Sequence, residues 1–194
     1  MFKIDALVLI CRKIFFMMKT IGILSFFLLF NLCVSAQQKL VPVDAESKVH
    51  FVIRNFGIGT GGDLKGLKGQ IIFDKNNIAA SSFDITVDVS TIDTESDMRD
   101  NHLLKADYFD VAKYPTIRIT GRNISASGNG YILKANLTIK DVTKAIEIPF
   151  TATPQKAGYL FEGDFEINRL HYHVGEESAT MADKLKITLK VLAK

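Results

Sequence analysis

The chain has 194 residues and a formal net charge of +3 at pH 7. Residues 1–36 carry this whole charge, because four cationic side chains there face a single acidic one, Asp5. The remaining chain is formally neutral, which argues against nucleic acid or an anionic lipid surface as a partner. Residues 37–194 are numerous enough to form one domain with a sizeable hydrophobic core.

The N-terminal segment has the pattern of a secretory signal peptide. Lys19 precedes the apolar run 21–32, and the small residues 34–36 follow it, as a basic region, an apolar region and a cleavage site do in such signals. A transmembrane anchor is the alternative, but the run is short for a membrane span. We therefore expect residues 1–36 to be removed and residues 37–194 to act in the periplasm or outside the cell, with no stable membrane span.

Both cysteines, Cys11 and Cys33, lie within the segment that we expect to be removed. The exported domain then forms no disulfide, so its packed core must stabilise it alone. Thiol catalysis is excluded for the same reason.

The rest of the chain alternates apolar and polar residues with the period of a half-buried β-strand. Eight segments follow this pattern: 49–53, 67–73, 83–89, 117–121, 131–139, 146–150, 159–167 and 185–191. Short polar connections between one-faced strands indicate an antiparallel meander, and such a sheet hides its edges best by closing on itself. We predict an all-β fold, an eight-stranded antiparallel up-and-down barrel. Pro149 predicts a bulge or an opening in strand pairing.

Two longer connections interrupt the predicted meander. The glycine-rich segment from Asn55 to Asp63 predicts a mobile loop at the barrel rim. The second connection is charged and aromatic, and a capping-box pattern at Thr94 and Asp97 predicts a short helical segment near residues 95–110. Pro115 is expected to set the start of the following strand.

Four residues suggest an alternative function as a hydrolase or a metal-dependent enzyme: Asp100, His102, His171 and His173. Two histidines spaced two apart on a strand point to the same side, so they are able to chelate a metal. No nucleophile motif accompanies them. The structural interpretation is that Arg99 pairs with the neighbouring aspartates and fastens the helix across one end of the barrel. We expect this structural role, no catalysis and no metal.

The residues at the inward-facing positions of the predicted strands are mostly large and apolar, and a few small residues occupy the same alternating positions. An eight-stranded barrel is either filled by its own side chains or holds one small ligand, and the residues alone leave both interiors open. If the barrel is hollow, the following residues line it. They are Phe51, Ile53, Phe73, Phe83, Ile85, Val87, Ile117, Ile119, Gly121, Leu133, Ala135, Leu137, Phe150, Phe161, Gly163, Phe165 and Ile187.

Two motifs carry a family resemblance: R-D-x-H-L from Arg99 to Leu103, followed by Tyr-Pro at Pro115, is the more specific, and N-R-L-H-Y-H-V-G begins at Asn168. Through these motifs the chain resembles the YceI-like family of exported lipid-binding barrels. The resemblance implies a lipocalin-like barrel with a cavity for a long apolar chain and no catalysis. It also marks the structural-motif residues. They are Arg99, Asp100, His102, Leu103, Pro115 and Arg169.

The function expected from the resemblance is to hold a long-chain isoprenoid or fatty amphiphile, for carriage or storage. The partner is then a long-chain lipid, and no cofactor is expected. The sequence leaves open a homodimer, and also an exported domain with a filled barrel and a purely structural role.

Overall fold

The computed structural model describes residues 38–194, which form nine strands in one antiparallel sheet. The sheet order is β1-β3-β2-β9-β8-β7-β6-β5-β4, and pairing of β3 with β4 closes it. Strands β2 to β9 therefore form a closed eight-stranded barrel, which confirms the predicted fold. The strands are β1 (Lys39–Leu40), β2 (Lys48–Asn55), β3 (Ile58–Ile72), β4 (Ser82–Asp93), β5 (Thr116–Ser127), β6 (Gly130–Ile139), β7 (Val142–Gln155), β8 (Gly158–Asn168) and β9 (Met181–Ala193).

The signal-peptide prediction falls on residues 1–36, which lie outside the described residues. Within residues 38–194, no helix combines the length and the apolar character needed to cross a bilayer.

The glycine-rich segment is a strand hairpin, so the prediction of a mobile loop from Asn55 to Asp63 is wrong. Phe56 and Gly57 alone connect β2 to β3, with φ angles of 50° and 77°, and two positive φ angles are typical of a tight hairpin turn. Gly62 pairs with Phe51, and a Cβ at Gly62 would lie 2.6 Å from Cζ of that ring. Glycine is needed there for close packing within a strand.

The long connection that the sequence did not predict joins β8 to β9. It opens with a 3-10 helix, Arg169–Tyr172. The Arg169 guanidinium is 4% exposed and donates to the carbonyl oxygens of Val174 at 3.1 Å and Ala182 at 3.0 Å. It also contacts the Asp183 carboxylate at 3.3 Å. Three partners on both sides of the connection hold it closed, as expected for a structural arginine.

The short helix is α1, Asp97–Leu103, between β4 and β5. Its N-cap is Ser96, which makes no side-chain cap bond, so the predicted capping box at Thr94 and Asp97 is wrong. The Thr94 hydroxyl bonds instead with Arg99 and Asp100 further along the helix. Strand β5 begins directly after Pro115, as predicted.

Pro149 opens the sheet on one side only. It pairs in regular register with Ile132 of β6, without a bulge. The ladder between β7 and β8, in contrast, starts at Phe150 and runs to Gln155. Proline has no N–H to donate, so the pairing with β8 opens at this residue.

Aromatic rings pack the barrel at the end away from α1. We call this the aromatic end and define it by Phe73, Tyr131, Phe150, Tyr159 and Phe161. Phe73 is 3% exposed. Its ring meets those of Tyr131, Tyr159 and Phe161 edge-on, at centroid distances of 5.3, 5.1 and 5.4 Å. Edge-on pairs of this kind stabilise beyond their buried area, so this end is a filled core.

Candidate ligand-binding cavity

An apolar cavity of about 250 Å³ lies inside the barrel, between the aromatic end and the end that carries α1, the helix end. Side chains from all eight barrel strands form its wall. The predicted lining residues found on the wall are Phe51, Ile53, Phe83, Ile85, Val87, Ile117, Ile119, Leu133, Leu137, Phe150, Phe161, Gly163, Phe165 and Ile187.

The burial of the wall residues indicates that the cavity is hollow. Ile85, Ile117, Ile119 and Ile187 point inward yet are only partly buried. Phe73 has the same inward register, but it is 3% exposed because rings surround it at the aromatic end. The interior is therefore filled at one end and unfilled toward the other.

Three predicted lining residues do not line the cavity: Phe73, Gly121 and Ala135. A Cβ at Gly121 would lie 2.7 Å from Cδ1 of Leu133. Ala135 is buried, with only 5% of its surface exposed. Gly163 lies on the wall, but a Cβ there would come within 2.5 Å of the backbone oxygen of Pro149. These small residues allow close contact between strands and leave no room for a larger side chain, so they do not supply ligand space.

The helix end supplies lining residues that strand alternation did not predict. Leu103 of α1, Tyr108 and Phe109 of the turns after it, and Val174 of the β8–β9 connection all reach the cavity. The signal in the sequence was the aromatic pair at 108–109 within a charged connection. The remaining apolar wall residues lie within or beside the predicted strands but were not predicted to line the cavity. They are Val49, Leu64, Leu67, Ile71, Ile139, Ile148, Ile167, Met181, Leu185, Leu189 and Val191.

The helix end of the cavity also carries polar side chains. We call it the mouth and define it by Asn55, Thr60, Thr94 and Arg99. Arg99 donates from Nε to the Thr94 hydroxyl at 2.7 Å and from Nη2 to the Thr94 carbonyl oxygen at 2.5 Å. The same hydroxyl donates to Oδ1 of Asp100 at 2.5 Å. Within residues 38–194, Arg99 forms no salt bridge, so the predicted pairing with aspartate is wrong: Thr94 stands between the two charged groups.

The residues of the alternative enzyme reading are not brought together as a site. His102 packs edge-on against Tyr108 at 5.0 Å. His171 and His173 lie in the turn after β8 and not on a strand, and His173 has a φ of 54°. In the described part of the chain, no three His, Cys, Asp or Glu side chains are placed to hold a metal ion.

Six titratable groups of the described chain have shifted pKa values, and Asp84 and Tyr172 are two of them. The hydrogen bond from Arg118 lowers the pKa of Asp84 on the outer barrel surface. Burial raises the pKa of the Tyr172 hydroxyl in the β8–β9 connection. Neither these two residues nor the other four, Asp88, Lys113, Arg118 and Asp164, line the cavity, so within residues 38–194 no acid or base with a shifted pKa faces its interior.

The fold and the cavity define an antiparallel β-barrel with an apolar interior and a polar mouth. The chain belongs to the YceI-like family, whose domain model matches residues 41–193.

Named relatives agree with this assignment. The chain is 28% identical to Protein YceI of Escherichia coli over 143 residues, which cover 69% of this chain and 75% of that protein. Its structure is similar to that of BcnA from Burkholderia cenocepacia, with a TM-score of 0.73, 28% identity, and coverage of 77% of this chain and 98% of the other. A polyisoprenoid binding domain from Saccharophagus degradans shares the fold, with a TM-score of 0.64, 14% identity, and coverage of 80% and 97%.

Proposed function

We propose that the protein is an exported binding protein that holds a long-chain isoprenoid or fatty amphiphile inside the barrel, for carriage or storage. The observation that supports this most directly is the apolar cavity of about 250 Å³ with its polar mouth. A cavity lined by Leu, Ile and Phe stays dry and takes apolar ligands. The polar mouth suits the head of an amphiphile whose tail lies inside.

The hydrophobic effect supplies the driving force for such a ligand. Each methylene removed from water contributes about 0.8 kcal/mol, so about ten buried methylenes contribute roughly 8 kcal/mol before the costs of binding. The partly buried isoleucines on the wall, such as Ile119 and Ile187, gain contacts that they lack in the empty barrel. The likeness to a polyisoprenoid binding domain adds support at the level of the fold.

The test is the content of the barrel after purification under native conditions. Organic extracts of the protein are analysed by mass spectrometry, and native mass spectrometry gives the stoichiometry. We expect one long-chain lipid per chain, released by extraction. One zinc ion per chain without a lipid would instead favour the enzyme reading.

Export is tested separately from binding. We expect the protein recovered from the cell envelope to have the intact mass of residues 37–194, because the N-terminal segment has the pattern of a cleaved signal. A mass that retains the apolar run 21–32 would contradict a soluble exported carrier and leave the lipid measurement intact.

A further inference from the structure

The mouth of the cavity holds a cation, Arg99, that makes no direct ion pair in the described chain: the carboxylate of Asp100 is linked to it only through the Thr94 hydroxyl. Arg99 lines the cavity, and no carboxylate oxygen of residues 38–194 lies within 4.0 Å of it as a salt-bridge partner. The other cavity-lining arginine, Arg169, differs, since Asp183 and two carbonyl oxygens occupy its three nitrogens. Of the two arginines on the cavity wall, Arg169 is therefore structural, and the charge of Arg99 is not balanced by a contacting anion.

Thr94 fixes the orientation of the Arg99 guanidinium. Thr94 is 4% exposed, and its hydroxyl and carbonyl oxygens accept from Nε and Nη2 of Arg99. Asp100 in turn accepts from the Thr94 hydroxyl and from its backbone N–H, at 2.5 and 3.1 Å. A guanidinium has five N–H groups, so several donors, including both on Nη1, remain free of partners in the described residues.

The neighbouring polar wall residues add uncommitted hydrogen-bonding groups. Asn55 and Thr60 line the same cavity at the end of β2 and the start of β3. In the described chain neither side chain has a hydrogen-bond partner. Arg99 shares the cavity wall with this amide and this hydroxyl, and the planar guanidinium of arginine is suited to recognise carboxylate and phosphate groups.

We propose that the amphiphile held by this barrel has an oxyanionic head, which pairs with Arg99 at the mouth while the apolar tail points toward the aromatic end. This inference rests on the proposed binding function and specifies the class of ligand. The shared chemistry is an anionic oxygen group, which comes either from a fatty carboxylate or from a prenyl phosphate. With a neutral head group, the Arg99 guanidinium remains hydrated and forms no ion pair with the ligand.

The test compares ligands that share a tail and differ in the head. Dodecanoate is compared with dodecanol, and farnesyl phosphate with farnesol, by isothermal titration calorimetry of protein freed of lipid. A hydrogen bond to a charged group contributes enough to favour the anionic ligand by roughly tenfold to a hundredfold. The pair with the larger ratio identifies the source of the oxyanion. Added salt should reduce the ratio, since Arg99 is exposed to solvent.

The variants assign the preference to Arg99. Arg99→Gln should abolish the anion preference, which is measured as the ratio of dodecanoate to dodecanol affinity within the same variant. Arg99→Lys keeps the charge and should retain part of the preference. Arg54→Gln is the matched control: Arg54 is exposed on β2 near the mouth but does not line the cavity, so its loss should leave the preference unchanged.

Two outcomes would overturn the head-group proposal alone. In one, the wild-type protein binds alcohols and anions equally. In the other, Arg54→Gln and Arg99→Gln reduce the preference to the same extent, which would indicate a general charge effect. If none of the four ligands binds the wild-type protein, the proposed binding function itself fails. The comparison of ligands on the wild-type protein does not depend on whether any variant folds.

Discussion

The hollow interior leads to a paired prediction at Ile119 and Ile92, in which the same substitution has opposite effects. Ile119 lies on β5, is partly buried and lines the cavity. Ile92 lies on β4, is 6% exposed and belongs to the packed core away from the cavity wall. We compare Ile119→Phe with Ile92→Phe.

The expected magnitudes follow from the space at each position. A larger side chain in a packed core costs roughly 1–3 kcal/mol, and a domain of this size loses about 2–4 °C in melting temperature for each kcal/mol. Ile92→Phe should therefore melt about 2–12 °C lower. Ile119→Phe should stay close to the wild type, because its ring enters empty space and gains contacts.

The effect on the ligand should be reversed. The ring of Ile119→Phe takes space in a cavity of about 250 Å³ and should displace one or two methylenes of a bound chain. At about 0.8 kcal/mol each, this weakens binding roughly fourfold to fifteenfold. Ile92→Phe, measured while folded, should bind as the wild type does.

Urea unfolding measures the first effect through the midpoint at constant slope, and competition with a fluorescent fatty acid measures the second. Equal loss of stability at both positions, with unchanged affinity, would refute the reasoning and indicate a packed interior.

Two further predictions concern stability. Phe73→Leu should lower the unfolding free energy by roughly 1–3 kcal/mol, measured in urea, because Phe73 loses edge-on contacts with four rings; Phe56→Leu, at a side chain that is 75% exposed, is the control and should change little. Arg118→Gln should remove a pH-dependent contribution of Asp84, whose pKa is lowered first by its hydrogen bond from Arg118. A carboxyl group whose pKa is lowered in the folded protein stabilises the fold at pH values above its ordinary pKa. This contribution is lost as the pH falls through the pKa that the group has in the folded protein. Urea curves from pH 7 to about 3 should therefore show the wild-type advantage shrinking toward acid; an advantage that persists at the lowest pH would contradict the assignment.

Strand alternation predicted the barrel because each strand buries one face, and a period of two records this directly. Alternation does not record how closely two backbones approach. Gly62 was assigned to a loop because glycine is common in loops, whereas the ring of Phe51 requires glycine within β3. The same limit applies to Gly121, whose lack of a side chain reflects contact with Leu133.

The cavity was harder to predict than the fold. Ile119 and Phe73 have the same inward register, yet one borders the cavity and the other fills the aromatic end. The difference depends on where each strand stands relative to its neighbours along the barrel axis, which the sequence of one strand does not contain. Arg99 was predicted to pair with aspartate from its neighbours in sequence, but Thr94, five residues earlier, accepts its hydrogen bonds.

The closed aromatic end has a consequence for the kinetics of exchange. Phe73 and the rings around it obstruct passage along the barrel axis, so we expect a ligand of the proposed function to enter and leave through the helix end. A second molecule then has no route behind the occupant and must wait until the occupant departs. The release rate should be independent of the concentration of incoming ligand, and replacement should be first order with the rate constant of spontaneous departure.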